Sequence, residues 1–266
     1  TLSNPAFGSR VEDALPSETL TTVTGKAASG RLTTDFTEHL DLKVVSKGGA
    51  VTRRHETVFF DSEKDALTKE FEQSPNYVSL NGVWDFRYYG SVQEMLAAQE
   101  PSQSTAAQNA PSTINVPGNW EVQGFGTAVY VNIPYEFCPR NPQPPRLPDM
   151  IPTGVYSRTI TPEKCYLNLC GVKGGAYVFV DEQFVGYGED SKDLVRYDIT
   201  PFVRSGKEAV LRLVVTRWCT GSYLECQDFW RISGIERDVY LSREPATVPD
   251  DFDWNVVATL ADDLGG

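Results

Sequence analysis

The sequence has few of the residues that build metal centres and disulfide scaffolds. Only two histidines and five cysteines occur among 266 residues, and no two cysteines have the C-x-x-C spacing typical of zinc sites. Cys165 and Cys170 fall on opposite faces of one predicted strand, so they are not expected to pair. Cys219 and Cys226 flank one loop and could be bridged, but packed thiols are the favoured interpretation. A zinc site is therefore not expected.

Long apolar runs and an excess of basic residues are also missing. No stretch reaches the roughly 18 apolar residues of a transmembrane helix. Lysine and arginine number 24 against 36 acidic residues, giving a net charge of −12, which argues against nucleic acid and anionic membranes as partners. No signal peptide is visible and the first residue is Thr1, so a processed N-terminus is expected and the compartment, cytoplasmic or periplasmic, stays open.

The composition is that of a globular protein rich in strands. Hydrophobic residues make up 40% of the chain and aromatic residues 11%, enough for one large or two small domains. From Gly154 onward, short β-rich runs alternate with turn signals. The runs are 155–160, 165–170, 176–180, 184–187, 195–197 and 209–216. This spacing predicts an all-β, antiparallel sandwich with a few short helices and long loops.

The part of the chain before Gly154 is more varied. β-rich runs at 32–45 and 51–60, separated by Ser-Lys-Gly-Gly at 46–49, predict a β-hairpin. Ser62 is expected to cap a helix whose buried stripe contains Leu67 and Phe71. Trp84 and Phe86 recur at period two, as on a strand's inward face. A second helix is expected at 91–99, and six prolines at 138–152 exclude helix and central strand there.

The stretch 217–234 carries the strongest chemical signal. It holds two carboxylates, Glu225 and Asp228, with four aromatic residues and two glycines, and it shows neither helical nor strand periodicity. Flat rings beside carboxylates suit a sugar, because rings cover C–H groups while carboxylates accept from hydroxyls or hold a cation that contacts them. The alternative is that the rings plug the end of the sandwich, and composition alone favours that alternative.

Three sequence blocks resemble a known family. They are GSYLE and QDFWRISGI at 221–225 and 227–235, PGNW and VYVN at 117–120 and 129–132, and VGYGEDS at 185–191. Together they closely resemble the N-terminal sugar-binding domain of the β-galactosidase branch of glycoside hydrolase family 2. The resemblance extends from about residue 80 to residue 241 and implies a jelly roll of galactose-binding-like topology.

The resemblance also implies roles for two residues. Asn132 and Asp228 match the residues that this domain extends toward the mouth of a catalytic TIM barrel. Asn132 is expected to hydrogen-bond sugar or water, and Asp228 to help coordinate a sodium ion that contacts a galactosyl hydroxyl. Magnesium elsewhere in the full-length enzyme is left open, and no cofactor is expected on this chain alone. The family's two catalytic glutamates belong to the barrel, so no catalytic residue is assigned here and the isolated chain is expected to be inactive.

These features divide the chain into three predicted parts. Residues 1–76 form an N-terminal arm with the hairpin and a short helix, 77–245 form the jelly-roll domain, and 246–266 begin a truncated immunoglobulin-like domain. Expected partners are β-galactosides, the enzyme's own C-terminal domains and further copies in a full-length homo-oligomer. A stand-alone carbohydrate-binding module, an oligomerisation module and the same domain of a β-glucuronidase or β-mannosidase are the alternatives.

Overall fold

A computed structural model describes residues 32–51, 57–98, 111–132, 134–163 and 165–245. The fold is all-β and antiparallel, as predicted. In chain order the strands are β1 (Ser46–Lys47), β2 (Gly49–Val51), β3 (Tyr77–Ser79), β4 (Gly82–Tyr89), β5 (Ser112–Val116), β6 (Gly118–Asn119), β7 (Val129–Val131), β8 (Thr153–Ile160), β9 (Tyr166–Leu169), β10 (Val172–Lys173), β11 (Gly175–Val180), β12 (Gln183–Glu189), β13 (Val195–Asp198), β14 (Ala209–Thr216), β15 (Phe229–Arg231), β16 (Gly234–Ile235) and β17 (Val239–Ser242).

Two large sheets form the jelly-roll sandwich. One has seven strands in the order β1-β12-β11-β14-β8-β4-β5, and the other has five in the order β2-β13-β9-β17-β3. The longest ladder joins β14 to β8 over eight residue pairs, from Ala209↔Ile160 to Thr216↔Thr153. Two smaller units complete the described strands: a three-stranded sheet, β10-β16-β6, and a two-stranded ribbon, β15-β7.

Alternate side chains of the central strands belong to two hydrophobic clusters, one on each face of the seven-stranded sheet. In β14, Leu211, Leu213 and Val215 contribute to the main core cluster, which also contains Trp84 and Tyr156. Val214, between them, belongs to a second cluster on the opposite face of the same sheet. Because successive side chains of a strand point to opposite faces, the seven-stranded sheet is buried on both sides.

The outer face of that sheet is covered by the N-terminal segment and a helix. Phe36 packs against Tyr177 and Phe179 of β11, with ring centroids 5.0 and 5.7 Å apart. Met95 of helix α2 (Val92–Ala98) is buried in the same cluster. This helix was predicted. The apolar face it supplies explains how β11 can be buried along its whole length.

The predicted hairpin near residue 46 is wrong. Ser46–Lys47 pairs with β12 of the seven-stranded sheet, whereas Gly49–Val51 pairs with β13 of the five-stranded sheet. Gly48 between them has φ 71° and an added Cβ would lie 2.3 Å from the Val185 carbonyl oxygen, so only glycine fits at this crossing. The turn signal therefore marks a passage between the sheets. In the first predicted run, residues 32–45, the described backbone contains the 3-10 turn Glu38–Leu40 and no strand.

The short helix after Ser62 is confirmed, but its predicted buried stripe is not. Helix α1 spans Glu63–Thr68, and the Ser62 side chain accepts a hydrogen bond from the Asp65 N–H at 3.1 Å. Leu67 is 77% exposed, and Phe71 lies beyond the helix in the 3-10 turn Phe71–Gln73, where it packs on Tyr77. Contacts with β3 and β17 thus replace the expected i, i+4 pair.

The proline-rich connection 138–152 contains neither helix nor strand, as predicted. Its residues Leu147 and Ile151 are buried against Tyr223 of the stretch 217–234, and the Tyr223 hydroxyl donates to the Arg146 carbonyl. The connection therefore packs on its own domain. None of the helices in the described ranges is long and apolar enough to cross a membrane. The predicted immunoglobulin-like strand, 246–266, lies outside the described residues.

Candidate functional site

The two predicted site residues lie at the same end of the β7–β15 ribbon. The ladder pairs Phe229 with Val131 and Trp230 with Tyr130, and the same register continued by one position places Asp228 opposite Asn132. Both residues are exposed. The structure therefore brings together two side chains that are 96 positions apart in the printed sequence (228 − 132). The ribbon itself was not predicted, because each strand has only three residues.

Alternation along the ribbon gives it one open face and one packed face. Asn132, Tyr130, Asp228 and Trp230 share a face, since they occupy cross-strand pairs two positions apart. Tyr130 and Trp230 are 54% and 55% exposed. Their ring centroids are 5.8 Å apart with planes inclined by 58°. This face therefore presents two large aromatic surfaces beside a carboxylate and an amide.

Tyr130 is directly bonded to the predicted cation ligand. Its hydroxyl donates a 2.5 Å hydrogen bond to Oδ1 of Asp228. This bond, together with the negative charge of Asp228, raises the pKa of the Tyr130 phenol. Sequence reasoning did not select Tyr130. Its signal was the period-two spacing from Asn132, which is informative only once the strand is recognised.

The packed face of the ribbon rests on buried cations. The Phe229 ring centroid lies 5.4 Å from Lys173 Nζ and 5.0 Å from the Arg231 guanidinium. Arg231 is 3% exposed. Its Nη1 donates to the carbonyl of Gln227, the residue before Asp228, and its Nε lies 3.5 Å from Glu136 Oε2.

A second buried ion pair holds the base of both ribbon strands. Arg217 Nη1 lies 3.0 Å from Glu121 Oε1. Arg217 also donates to the carbonyls of Thr127, just before β7, and of Arg231, at the end of β15. Glu121 Oε2 accepts from the Ser233 N–H at 2.8 Å. Burial raises the pKa of Glu121, and the Ser233 hydrogen bonds and the Arg217 charge partly offset that rise.

Glu225, the other carboxylate of the stretch 217–234, is held by side chains of the sandwich. Its carboxylate binds Lys173 Nζ at 3.0 Å and accepts from the N–H and Oγ of Ser191. Burial by itself would raise the pKa of Glu225, but the charge of Lys173 and the Ser191 hydrogen bonds outweigh burial and lower it. Glu225 is therefore ionised, and its contacts hold the stretch 217–234 against the sandwich.

The aromatic residues in 217–234 lie in two different environments. Trp218 and Tyr223 pack with Tyr135 and Phe137 in a small cluster beneath the proline-rich connection, and Trp218 Nε1 donates to Glu136 at 2.7 Å. Phe229 points to the packed face of the ribbon. Trp230 alone of the four is exposed. Three rings are therefore packed within the domain, and one is exposed to solvent.

The five cysteines are free thiols. No disulfide joins the five cysteines, all of which lie in the described ranges. Cys219 caps the 3-10 turn Thr220–Tyr223 and is buried beside Glu189. Burial raises the pKa of the Cys219 thiol well above its usual range. Cys226 donates to the Ser222 carbonyl at 3.2 Å. The favoured prediction of packed thiols is confirmed.

The donors around Asp228 make only part of a cation site. Within the described ranges, no three His, Cys, Asp or Glu side chains converge on one point. The Asp228 carboxylate keeps one oxygen beyond the bond from Tyr130, and the Asn132 amide adds one more oxygen nearby. Oxygen donors suit hard cations, so the chemistry fits sodium, but a full ligand shell needs oxygens from elsewhere.

Comparison with protein families identifies the domain. Residues 77–245 match the family model described as glycosyl hydrolases family 2, sugar binding domain. The chain belongs to glycoside hydrolase family 2. The matched residues contain both large sheets except β1 and β2, and they contain the whole β7–β15 ribbon.

Relatives of this family-2 chain include long bacterial enzymes. It is 37% identical over 194 residues to the β-galactosidase of Yersinia pestis bv. Antiqua (strain Angola), covering 70% of this chain and 18% of that protein. The β-galactosidase of Yersinia pseudotuberculosis serotype O:1b matches equally, with 17% of its length covered. The chain thus spans less than a fifth of these relatives.

A solved structure with some likeness to the chain is a β-glucuronidase from Ruminococcus gnavus in complex with D-glucaro-d-lactam. The sequences are 14% identical, the match covers 64% of this chain and 29% of that one, and the TM-score is 0.44. An FMN-binding β-glucuronidase from Facaelibacterium prausnitzii L2-6 gives 23% identity and a TM-score of 0.41, covering 62% of this chain and 22% of that one.

Proposed function

We propose that this sugar-binding domain belongs to a β-galactosidase and presents the exposed face of the β7–β15 ribbon to a galactosyl group. The observation that carries the proposal is the meeting of Asn132, Asp228, Tyr130 and Trp230 on one exposed face. The β-galactosidase relatives at 37% identity support this branch of the family.

Each group on that face has chemistry suited to a sugar. The Asn132 amide both donates and accepts, as sugar hydroxyls do. The free oxygen of Asp228 helps to hold a sodium ion, whose positive charge attracts a galactosyl hydroxyl oxygen. The faces of Tyr130 and Trp230 cover apolar C–H groups of the sugar or of its leaving group. The domain thereby orients the substrate and excludes water from one side of it.

Bond cleavage is assigned to residues beyond this chain. A retaining glycosidase uses two carboxyl groups about 5 to 5.5 Å apart, one as nucleophile and one as acid and base. Glu225 is engaged by Lys173 and Ser191, so it is not available as the partner of Asp228. The family resemblance implies that both catalytic glutamates come from a barrel in the full-length enzyme.

The decisive variant is Asp228→Ala in the full-length enzyme. Loss of the carboxylate removes a charged contact worth up to about 3 kcal/mol, so we expect kcat/KM to fall roughly 100-fold while the melting temperature changes little. Asp85→Ala removes another exposed carboxylate, on β4, and serves as the control that leaves kcat/KM unchanged. Wild-type kcat/KM in Asp228→Ala would refute the assignment.

A second function has one specific observation in its favour. Exposed aromatic pairs such as Tyr130 and Trp230 are also the platforms of stand-alone carbohydrate-binding modules. The two functions differ in what the isolated chain does. As part of an enzyme site, the chain titrated with sodium and galactose shows no saturable binding, because most of the ligand shell is missing. Saturable binding of the isolated chain on a glycan array, lost in Trp230→Ala, supports the stand-alone module instead.

A further inference from the structure

We propose that Tyr130 and Arg231 are positioning residues that hold the Asp228 carboxylate in one orientation, acting from opposite faces of the β7–β15 ribbon. The inference deepens the proposed function, on which it rests for its consequence in catalysis. Neither residue belongs to the pair that the family resemblance selects. Tyr130 acts on the carboxylate itself, whereas Arg231 acts on the backbone that carries it.

On the open face, Tyr130 fixes the carboxylate. Its hydroxyl donates to Oδ1 of Asp228 at 2.5 Å. No other described residue donates a hydrogen bond to that carboxylate, and Asp228 is otherwise exposed to water. An exposed aspartate without such a partner samples several rotamers. The bond therefore selects a rotamer and leaves Oδ2 for a further ligand.

On the packed face, Arg231 fixes the backbone. Its Nη1 donates to the carbonyl of Gln227, which also accepts from the Phe229 N–H at 3.0 Å. These two bonds define the bend that contains Asp228. The guanidinium is paired with Glu136, whose Oε2 lies 3.5 Å from Nε, and the Arg231 backbone is held by a 3.2 Å hydrogen bond from Arg217 to its carbonyl.

The charges explain why an arginine fits there. Arg231 is almost fully buried and has several N–H groups in a planar fork, so one side chain can reach a carbonyl, a carboxylate and a ring face together. Lysine has a single ammonium on a flexible stem and cannot hold the same three partners. Arg231→Lys therefore keeps the charge, and we expect it to loosen the contact with the Gln227 carbonyl.

The functional consequence is preorganisation. A cation or sugar hydroxyl binds more tightly to a carboxylate that already has the bound orientation, since no rotamer freedom is lost on binding. A freely rotating Asp228 would bind the same ligands with lower affinity. Each positioning residue is thus expected to change the sodium concentration for half-activation and KM more than it changes kcat.

The structural arm of the test uses this chain. Three-bond couplings from the Asp228 Cγ to its backbone nitrogen and carbonyl carbon report the χ1 rotamer. We expect one rotamer in the unmodified chain and averaged couplings in Tyr130→Phe and in Arg231→Lys. Tyr166→Phe and Arg158→Lys are matched controls, since Tyr166 lies on β9 and Arg158 binds the carbonyls of Leu80 and Asn81 away from the ribbon. One unchanged rotamer in both test variants overturns the proposal.

A second measurement covers the case in which Arg231→Lys does not fold. In the unmodified chain, a scalar coupling across the hydrogen bond between Arg231 Nη1 and the Gln227 carbonyl carbon is expected. Its absence overturns the role of Arg231. Tyr130 is half exposed, so Tyr130→Phe is expected to fold and decides the role of the hydroxyl by itself.

The catalytic arm uses the full-length enzyme. Tyr130→Phe is expected to raise the sodium concentration for half-activation about 3- to 10-fold, with a smaller change in kcat and no change in melting temperature. If Asp228→Ala leaves activity intact, the proposed function fails, while the rotamer measurement still decides whether Tyr130 and Arg231 position Asp228. If Asp228→Ala is impaired and Tyr130→Phe matches the wild type in sodium response, the catalytic consequence is refuted.

Discussion

The carboxylate of Glu121 and the guanidinium of Arg217 lie 3.0 Å apart, with side-chain exposures of 0% and 7%. Charges this far from water persist only when they are paired and hydrogen-bonded. Here the pair also binds Thr127, Arg231 and Ser233. It therefore joins both strands of the exposed ribbon to the interior of the sandwich.

Glu121→Ala is expected to destabilise the chain by about 3–5 kcal/mol, because it leaves the buried Arg217 charge uncompensated. Urea unfolding measures the loss. The control is Glu163→Ala, whose partner Arg243 is also exposed, and its cost should stay below about 1 kcal/mol. Equal costs for the two variants would contradict this account of the ribbon's anchoring.

His39 is expected to make stability depend on pH. Burial lowers its pKa from 6.5 to about 4, and the charge of Glu38 opposes part of that shift; the ring also bonds the Tyr177 hydroxyl at 2.7 Å. The unfolded chain therefore binds more protons between pH 6.5 and about 4, so the free energy of unfolding falls as pH decreases through this range, by up to about 3 kcal/mol.

The measurement compares unfolding curves from pH 7 to pH 4 for the unmodified chain and His39→Gln. We expect His39→Gln to flatten the pH dependence. A slope that survives in His39→Gln assigns the pH dependence to other groups.

Gly154→Ala is expected to destabilise the core. An added Cβ would lie 2.6 Å from a ring carbon of Trp120 and 2.8 Å from one of Phe86, and both rings are buried in the main cluster. Overpacking of this kind costs about 1–3 kcal/mol. At Gly221 the same methyl meets Cys219 Sγ at 3.6 Å, an ordinary contact, so Gly221→Ala should unfold at nearly the wild-type temperature.

Glu225→Gln is expected to cost about 1–3 kcal/mol at pH 7, since it removes the charged acceptor of Lys173 and Ser191. The pKa of Glu225 is lowered below 4.5 in the folded chain. Its contribution is therefore fully present above pH 4.5 and is lost as pH falls through the folded-state pKa. The difference between variant and wild type should shrink in acid, whereas Asp65→Asn, which removes a partly exposed ion pair with Lys69, should cost less than about 1 kcal/mol at pH 7.

Much of the sandwich follows from local pattern. The predicted runs at 155–160, 176–180 and 209–216 correspond to β8, β11 and β14. Trp84 and Phe86 are buried on the inward face of β4 as their spacing indicates. These features were predictable because period-two alternation and turn residues act between neighbours in sequence.

The pairing of the strands was harder to predict from the sequence than their positions. Between β16 and β17 the strand is interrupted, since the N–H groups of Glu236 and Arg237 both donate to the Gly171 carbonyl instead of extending a ladder. The residues around Gly48 join two sheets rather than each other. Which strand pairs with which depends on packing among distant elements, and a local turn signal cannot express it.

The sequence alone determined the family, the all-β class and the choice of Asn132 and Asp228 as site residues. Only the tertiary structure decided how they are presented. Asp228 meets Tyr130, 98 residues away, and Glu225 meets Lys173, 52 residues away. These two carboxylates are three positions apart in the chain (228 − 225), yet one is exposed and the other is bound in an ion pair. Hydrogen-bond partners and burial arise from contacts between distant segments, which is the physical reason that local sequence could not separate their roles.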